Sequence, residues 1–177
     1  AGLSAQNEAD NLSWLVRTVQ DETGALCCID SPNPDALEAA LKVHQGNAMI
    51  NSISLEKERF DRLIGLIAGT ELKIISLCMS DQGMPESADQ RFNIAEDLIN
   101  QLVKNNISLE NIYMDALVQP ISTNTGYGVE FLSAVERIMS EFKGCHTICG
   151  LTNISYGLPR RNLLNRTFLS MAVAKGL

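Results

Sequence analysis

The sequence predicts an α/β fold, in which the strands of a parallel sheet alternate with helices. Five short apolar runs alternate with segments whose apolar residues recur at helical spacing. Unbroken apolar runs of this kind are typical of the strands of a parallel sheet that is covered on both faces. Four runs end at, or shortly before, the polar residues Asp30, Asn51, Asp115 and Asn153. Active sites of α/β proteins collect at that end of the strands.

The first half of the chain predicts three helices separated by two strands. An amphipathic first helix ends at Gly24, and Pro34 suits the first turn of a second helix that ends near Gly46. Ser54 is a suitable N-cap for the third helix. The predicted bounds are 7–22 and 55–68 for the first and third helices, and 25–29 and 48–50 for the two strands.

The second half repeats the strand–helix unit three times. Its clearest strand is the continuous apolar run at 74–79, which is followed by a loop containing Gly83 and Pro85. The other predicted strands lie at 112–114 and 147–149, and the predicted helices at 87–105, 125–142 and 161–175.

Two architectures fit this alternation, an open doubly wound sheet and a (β/α)₈ TIM barrel. No Gly-x-Gly-x-x-Gly sequence follows the first strand and no Walker A sequence is present, which favours the barrel. The chain has 177 residues, whereas a barrel domain usually needs about 250. We therefore expect a single domain over 1–177 that forms part of a barrel, with terminal strands lacking at both ends.

Composition argues against several classes of partner. The net charge of −7 disfavours nucleic acid and anionic membrane surfaces, and no apolar run approaches the roughly 20 residues of a membrane helix. The first ten residues do not resemble a signal peptide. The five cysteines lie in or beside apolar runs, which indicates buried free thiols in a reducing, cytoplasmic compartment.

The polar residues at the strand ends are the candidate binding site. Asp30 and Asp115 are acceptor-only groups when ionised, whereas Asn51 and Asn153 each offer a donor and an acceptor. Converging in one pocket, they suit a neutral heterocycle with a mixed donor and acceptor edge. They do not suit a metal, which would require histidine or more carboxylates. The alternative is that they only form turns and caps.

Two further clusters have alternative interpretations. Cys145, His146 and Cys149 could suggest a zinc site, but no second Cys/His pair lies nearby, and structural cysteine is the better interpretation. Arg160, Arg161 and Arg166 lie at or near the start of the last helix, where cations oppose the helix dipole. They are either solvated or available to an anionic ligand tail.

Five segments together resemble a known family. They are DSPNPDALEAAL at 30–41, MINSIS at 49–54, YMDAL at 113–117, GLTNIS at 150–155 and LNRTF at 164–168. These segments are similar to the pterin-binding methyltetrahydrofolate:corrinoid protein methyltransferases, to which the folate domain of cobalamin-dependent methionine synthase is related. The family fold is a (β/α)₈ barrel like that of dihydropteroate synthase, and the resemblance implies the same fold here.

The resemblance also implies roles for individual residues. Asp30, Asn51 and Asp115 would hydrogen-bond the pterin ring. Asn153 would lie near pterin N5 and act with Asp115 as the catalytic pair. Substrate-binding positions next to that site would be Tyr156 and Arg161.

The implied reaction moves a methyl group between tetrahydrofolate N5 and the cobalt of a corrinoid. Tetrahydrofolate or methyltetrahydrofolate would be the substrate, and the corrinoid (cobalamin) would be carried by a partner protein. This chain would hold no metal and would form a homodimer. The alternatives are a dihydropteroate synthase-type pterin enzyme, a non-catalytic fragment that binds folate or a corrinoid protein, and an unrelated α/β domain.

Overall fold

The computed structural model describes residues 5–177, with side chains from residue 7 onward. Within this range, six α-helices alternate with five strands. Their bounds are α1 (Ala5–Thr23), β1 (Cys28–Asp30), α2 (Pro34–Val43), β2 (Met49–Leu55), α3 (Lys57–Ile67), β3 (Lys73–Ser80), α4 (Ala88–Lys104), β4 (Ile112–Asp115), α5 (Tyr127–Glu141), β5 (His146–Ile148) and α6 (Arg161–Ala174). None of the helices in these residues is long and apolar enough to span a bilayer.

The five strands form one parallel sheet whose spatial order follows the chain, β1-β2-β3-β4-β5. Right-handed crossovers between such neighbours place every connecting helix on the same side of the sheet. A doubly wound sheet would instead reverse its strand order and carry helices on both faces. The topology is therefore that of consecutive strand–helix units of a TIM barrel, as predicted. Strands beyond the two edges stay a prediction.

Side chains on the helix-covered face of the sheet form the core. Residues paired in a parallel sheet point to the same face, so each register row contributes a layer of the core. The buried strand residues of this face are Ile29, Ile50, Ile74, Ser76, Ile112 and Met114. Leu37, Leu63, Leu98 and Phe131 pack against them from the helices. This single packed layer holds the strand ends in fixed relative positions.

The opposite face of the sheet carries no helix within residues 5–177, which is the arrangement of consecutive units of a (β/α)₈ barrel. Apart from Ile75, the strand residues that point there are half-buried or exposed. They are Cys28, Asp30, Met49, Asn51, Lys73, Leu77, Tyr113, Asp115, His146 and Ile148. We call this the open face. In a closed barrel it would line the interior, where apolar fillers and functional groups mix.

Local sequence signals set two helix starts, of which the one at Pro34 agrees with the prediction. Pro34 is the first residue of α2, and the Asn33 side chain caps that helix by accepting from the Asp35 backbone N–H at 3.0 Å. At the start of α4, Ser87 and Gln90 form a reciprocal capping box. These signals are local, so the sequence alone places both helix starts within one or two residues.

Ser54 is not the N-cap of α3, which corrects that prediction. It lies inside β2, because β2 continues to pair with β3 as far as Leu55. The Ser54 hydroxyl donates to the Glu56 carboxylate at 2.8 Å instead. The helix begins at Lys57, and its N-cap residue makes no side-chain capping bond.

The first strand and the first pair of cysteines also differ from expectation. The strand lies at Cys28–Asp30 rather than 25–29, and Leu26 before it is 64% exposed. All five cysteines are free thiols, as predicted, and Cys78 and Cys145 are buried. Cys28 is exposed, however, because its position in β1 points it to the open face. Not every cysteine beside an apolar run is therefore a core residue.

Candidate functional site

Asp30 and Asn51 lie side by side on the open face. They are register partners on the neighbouring parallel strands β1 and β2. Strands in such a pair are about 4.8 Å apart, so a carboxylate and an amide stand next to each other there. Asp30 is exposed and Asn51 half-buried, so that a ligand above the sheet can contact both side chains.

Asn51 is the third residue of β2, not its last, which differs from the predicted strand end. The peptide bond between Asn51 and Ser52 is cis, and the register between β2 and β3 shifts directly after Asn51. Beyond the shift, Ile53 pairs with Ser76 on the helix-covered face and is buried. Asn51 is therefore the last β2 residue that the register places on the open face before this irregularity.

Asp115 is the last residue of β4 and also points to the open face. Its register neighbours are Leu77 of β3 and Ile148 of β5. The Asp115 Oδ1 accepts a hydrogen bond from the Leu117 backbone N–H at 2.8 Å, and Leu117 has a positive φ of 61°. Burial raises the pKa of Asp115 to about 6, against the opposing effect of that hydrogen bond. This carboxyl can thus exchange a proton near neutral pH.

Asn153 lies in the 3-10 helix Leu151–Ser155 that follows β5, and it is exposed. Its amide Nδ2 lies so close to Gly150 that a Cβ atom at position 150 would come within 3.0 Å of it. Gly150 therefore leaves the space that the Asn153 amide occupies. Because β4 and β5 are neighbours, Asn153 and Asp115 lie on adjacent strand-end segments of the chain.

Arg161 and Tyr156 flank the Asn153 segment in different ways. The Arg161 Nε donates to Ser155 Oγ at 3.1 Å, and its Nη2 donates to the Thr152 carbonyl at 3.0 Å. The guanidinium thus bonds to the 3-10 helix that carries Asn153. The Tyr156 side chain is 67% exposed, and its own carbonyl accepts from the Ser122 hydroxyl at 2.7 Å. Pterin contacts by Arg161 and Tyr156 stay predictions.

Two arginines that the sequence did not single out contact the same strand-end loops. Arg59 of α3 donates hydrogen bonds to two carbonyls in the loop after β1 and to one carbonyl of β2. Arg91 of α4 donates hydrogen bonds to carbonyls in the loop after β4. Nothing in the sequence distinguishes them from solvated helix arginines. Their targets are backbone carbonyls, which all residues share, so no side-chain pattern marks these contacts.

Metal-ligating residues do not cluster in the described part of the chain. No group of three or more His, Cys, Asp or Glu side chains that could hold a metal ion occurs there. Cys145 is buried, and its thiol contacts the Ile112 carbonyl at 3.4 Å. His146 stacks on the Tyr113 ring instead, with 4.7 Å between the ring centroids. This agrees with the structural interpretation of Cys145.

The strand ends together offer two carboxylates and two amides on one side of the molecule. Asp30, Asn51 and Asp115 share the open face, and Asn153 lies just beyond the end of β5. Carboxylates accept from ring N–H and amino groups, and the amides satisfy mixed donor and acceptor edges. The scaffold is that of a barrel-type α/β protein, and binding of a small polar ring by these four groups stays a prediction.

Comparison with known proteins identifies the family. Residues 1–177 match the pterin-binding enzymes. The chain belongs to this family, which confirms the resemblance found in the five sequence segments.

Two kinds of methyltransferase are similar to this chain in sequence. A methylcorrinoid:tetrahydrofolate methyltransferase of Eubacterium limosum is 27% identical over 179 aligned residues, covering 100% of this chain and 66% of that protein. The methionine synthase of Mycobacterium tuberculosis is 29% identical over 161 residues, covering 84% of this chain and 14% of that protein. The chain thus spans just under two thirds of the first relative and a small part of the second.

Two solved dihydropteroate synthases share the fold. The enzyme of Xanthomonas albilineans, in complex with indole-2-carboxylic acid and 6-chloroguanine, superposes with a TM-score of 0.71 at 15% identity, covering 99% of this chain and 66% of that chain. The enzyme of Yersinia pestis, with a pterine-sulfa conjugate, gives a TM-score of 0.73 at 16% identity, covering 99% and 69%. These similarities confirm the predicted dihydropteroate synthase-like fold.

Proposed function

We propose that this chain forms the folate site of an enzyme that transfers a methyl group between tetrahydrofolate N5 and the cobalt of a corrinoid. The partner protein carries the corrinoid. The observation that carries the proposal is the similarity to the methylcorrinoid:tetrahydrofolate methyltransferase, which extends over the entire chain. Asp30, Asn51 and Asp115 support it, because their shared face matches a pterin's mixed edge.

The residues would bind the pterin by complementary hydrogen bonding. Asp30 and Asp115 accept from the ring N–H and amino groups, and Asn51 both donates and accepts. Charge-assisted bonds of this kind are roughly twice as strong as neutral ones. The packed core beneath the sheet holds these groups in place before the ligand arrives, which reduces the entropic cost of binding.

The methyl transfer itself is a displacement. In one direction the N5 lone pair forms the new N–C bond while the carbon–cobalt bond breaks and leaves both electrons on cobalt. In the reverse direction, reduced cobalt attacks the N5-methyl carbon and N5 departs with the electron pair. A departing amine is a poor leaving group unless N5 carries a proton or a hydrogen bond. Asn153 would stabilise that form of N5, and Asp115 would exchange the proton near its pKa of about 6.

The corrinoid protein would dock above the strand ends, because N5 must face cobalt. The cobalt belongs to the partner's cofactor and is a substrate of this chain. The homodimer implied by the resemblance stays a prediction. The five free thiols support a reducing compartment such as the cytoplasm as the site of the reaction.

A second candidate is a dihydropteroate synthase-type reaction, because two solved structures that share this fold are dihydropteroate synthases. At 15% and 16% identity that similarity carries the fold alone. A third candidate is a protein that binds folate or a corrinoid protein without turnover.

One experiment separates the three. The protein is mixed with tetrahydrofolate and methylcobalamin, and the absorbance of Co(I) is followed. Co(I) formation that requires both protein and tetrahydrofolate supports methyl transfer. A parallel assay with 6-hydroxymethyldihydropterin pyrophosphate and aminobenzoate tests for dihydropteroate. Tetrahydrofolate binding without either product would establish the non-catalytic alternative and contradict the proposal.

A further inference from the structure

Arg59 holds two strand ends of the site through their backbone. Its Nε donates to the Ser52 carbonyl at 2.8 Å, Nη1 to the Pro32 carbonyl at 3.1 Å and Nη2 to the Ser31 carbonyl at 3.4 Å. Ser31 and Pro32 directly follow the last residue of β1. A single planar guanidinium from α3 therefore connects the loop after β1 to β2, which the fork geometry of arginine suits.

These carbonyls adjoin two candidate pterin-binding residues. Ser31 follows Asp30 and Ser52 follows Asn51. Desolvation lowers the pKa of Arg59, and the nearby charges of Glu56 and Asp30 oppose that shift. The cation thus lies close enough to Asp30 to interact with its charge, while its hydrogen bonds go to the main chain.

Arg91 makes the corresponding contacts at β4. Its Nε donates to the Ala116 carbonyl at 2.9 Å, and its Nη2 contacts the Leu117 carbonyl at 3.4 Å and Gln119 Oε1 at 3.3 Å. Leu117 in turn donates its N–H to Asp115 at 2.8 Å. The arginine therefore fixes the turn whose backbone orients the Asp115 carboxylate.

Burying the Arg91 guanidinium costs free energy, because the charged group loses its contact with water. Its side chain has no solvent exposure, and its Nη1 has no hydrogen-bond partner within residues 5–177. Desolvation lowers the pKa of Arg91, and the nearby charge of Glu130 offsets only part of this effect. The hydrogen bonds of the guanidinium to the loop after β4 compensate for part of the cost of burying it.

We propose that Arg59 and Arg91 are positioning residues for folate binding. Arg59 holds the ends of β1 and β2 so that Asp30 and Asn51 face one ligand edge. Arg91 holds the turn after β4 so that Asp115 points to the same face. This inference rests on the proposed folate site. It adds Arg59 and Arg91 to the residues of the folate site. Neither would touch the ligand, and both act through hydrogen bonds to backbone carbonyls.

The first test compares Arg59→Met with Arg62→Met in the whole chain. Arg62 lies one turn further along α3, is exposed and pairs with the exposed Asp35 at 3.3 Å, which makes it the matched control. Hydrogen exchange of the free protein should accelerate for amides around residues 31–33 and 51–53 in Arg59→Met only. Unchanged exchange at both places would overturn the contact role without any ligand being involved.

The second test measures tetrahydrofolate affinity by titration calorimetry. Arg59→Met should weaken binding by about tenfold to a hundredfold, because small displacements of binding groups are costly. Arg59→Lys should recover part of the loss, and Arg62→Met should match the wild type. If the wild type itself binds no tetrahydrofolate, the proposed function fails, and the exchange experiment still reports on the loop contacts.

The decisive readout is coupling. If Arg59 acts through Asp30, the loss in Arg59→Met combined with Asp30→Asn should be clearly smaller than the product of the two single losses. The combination with Asn153→Ala should be multiplicative, because those residues share no partner. Arg91→Met should couple to Asp115→Asn in the same way. If the Arg91→Met variant does not fold, the double-variant measurements at Arg59 alone test the proposal. Multiplicative losses in every pair would overturn the positioning role.

Discussion

Asp30 and Asn51 are register partners on two neighbouring parallel strands and point to the same open face of the sheet. Their backbones are therefore about 4.8 Å apart, which lets both side chains reach the same small ring. The helices lie behind both residues, and no helix in residues 5–177 covers this side of the sheet. The pair is the structural basis for expecting one ligand to contact both side chains.

Asp30→Asn should weaken tetrahydrofolate binding by roughly tenfold to a few hundredfold. The substitution keeps the size of the side chain but replaces a charged acceptor with a neutral amide, which has one acceptor oxygen and one donor NH₂ group. A charge-assisted hydrogen bond of about 1.5–3 kcal/mol is thereby lost. Titration calorimetry measures the change. Asp35→Asn, at an exposed position on α2, is the matched control and should bind like the wild type. Equal affinities of Asp30→Asn and wild type would remove Asp30 from the site.

Asp115→Asn should stabilise the fold above neutral pH while impairing folate binding. Burial raises the pKa of Asp115 from 3.8 to about 6, so the folded state binds more protons than the unfolded state between these values. Wild-type stability therefore falls as the pH rises through this window, relative to a variant that does not titrate. The difference between the two pKa values corresponds to at most about 3 kcal/mol in the free energy of unfolding.

Urea unfolding at pH 4 and pH 8 measures this difference. The stability of Asp115→Asn relative to wild type should rise between the two pH values. The nearby Cys78 and Cys149 thiols do not interfere, because burial raises the pKa of both well above this range. A difference that stays constant with pH would contradict the assignment of this pKa to Asp115.

Asn153→Ala should slow methyl transfer by roughly 10²–10³-fold, which is the usual loss for one preorganised donor in a transition state. Folate affinity should change much less, because the pterin ring keeps its contacts with the other strand ends. Single-turnover absorbance of Co(I) gives the rate, and calorimetry gives the affinity. Wild-type turnover in the variant would exclude Asn153 from the chemical step.

Gly150→Ala should reproduce part of the Asn153→Ala defect without removing the amide. A Cβ at position 150 would come within 3.0 Å of the Asn153 Nδ2, so the flexible amide must move away. The backbone at Gly150 has φ −76°, which alanine adopts without strain, so the fold should be preserved. We expect a rate roughly tenfold below wild type. Gly65→Ala, where a Cβ meets nothing within 4 Å, is the control.

Much of the fold is visible in local patterns. The apolar runs and helical spacing identify all five strands and six helices, and a capping residue such as Asn33 or Ser87 sets a helix start within a turn. Ser54 is an exception, because the sequence predicts it as the N-cap of α3 and the structure places it inside β2. The segment MINSIS reads locally as a short strand followed by a cap, but pairing with β3 extends the strand through it. Long-range pairing is stronger here than the local capping signal.

The candidate site is only partly visible in the same way. Asp30 and Asp115 stand out because a polar residue directly ends an apolar run. Arg59 and Arg91 do not stand out, because a guanidinium that bonds to distant carbonyls leaves no trace in the spacing of side chains. The same holds for the raised pKa of Asp115, which depends on the burial of this side chain in the folded structure.

The sequence by itself determined the order of strands and helices, the polar residues at the strand ends and the family resemblance. These properties depend on residue type and on spacing within a few turns of the chain. The face that each strand residue occupies and the arginines that hold the site loops become visible in the three-dimensional structure. Those properties depend on register between strands and on burial by distant segments, and neither is encoded at any single position.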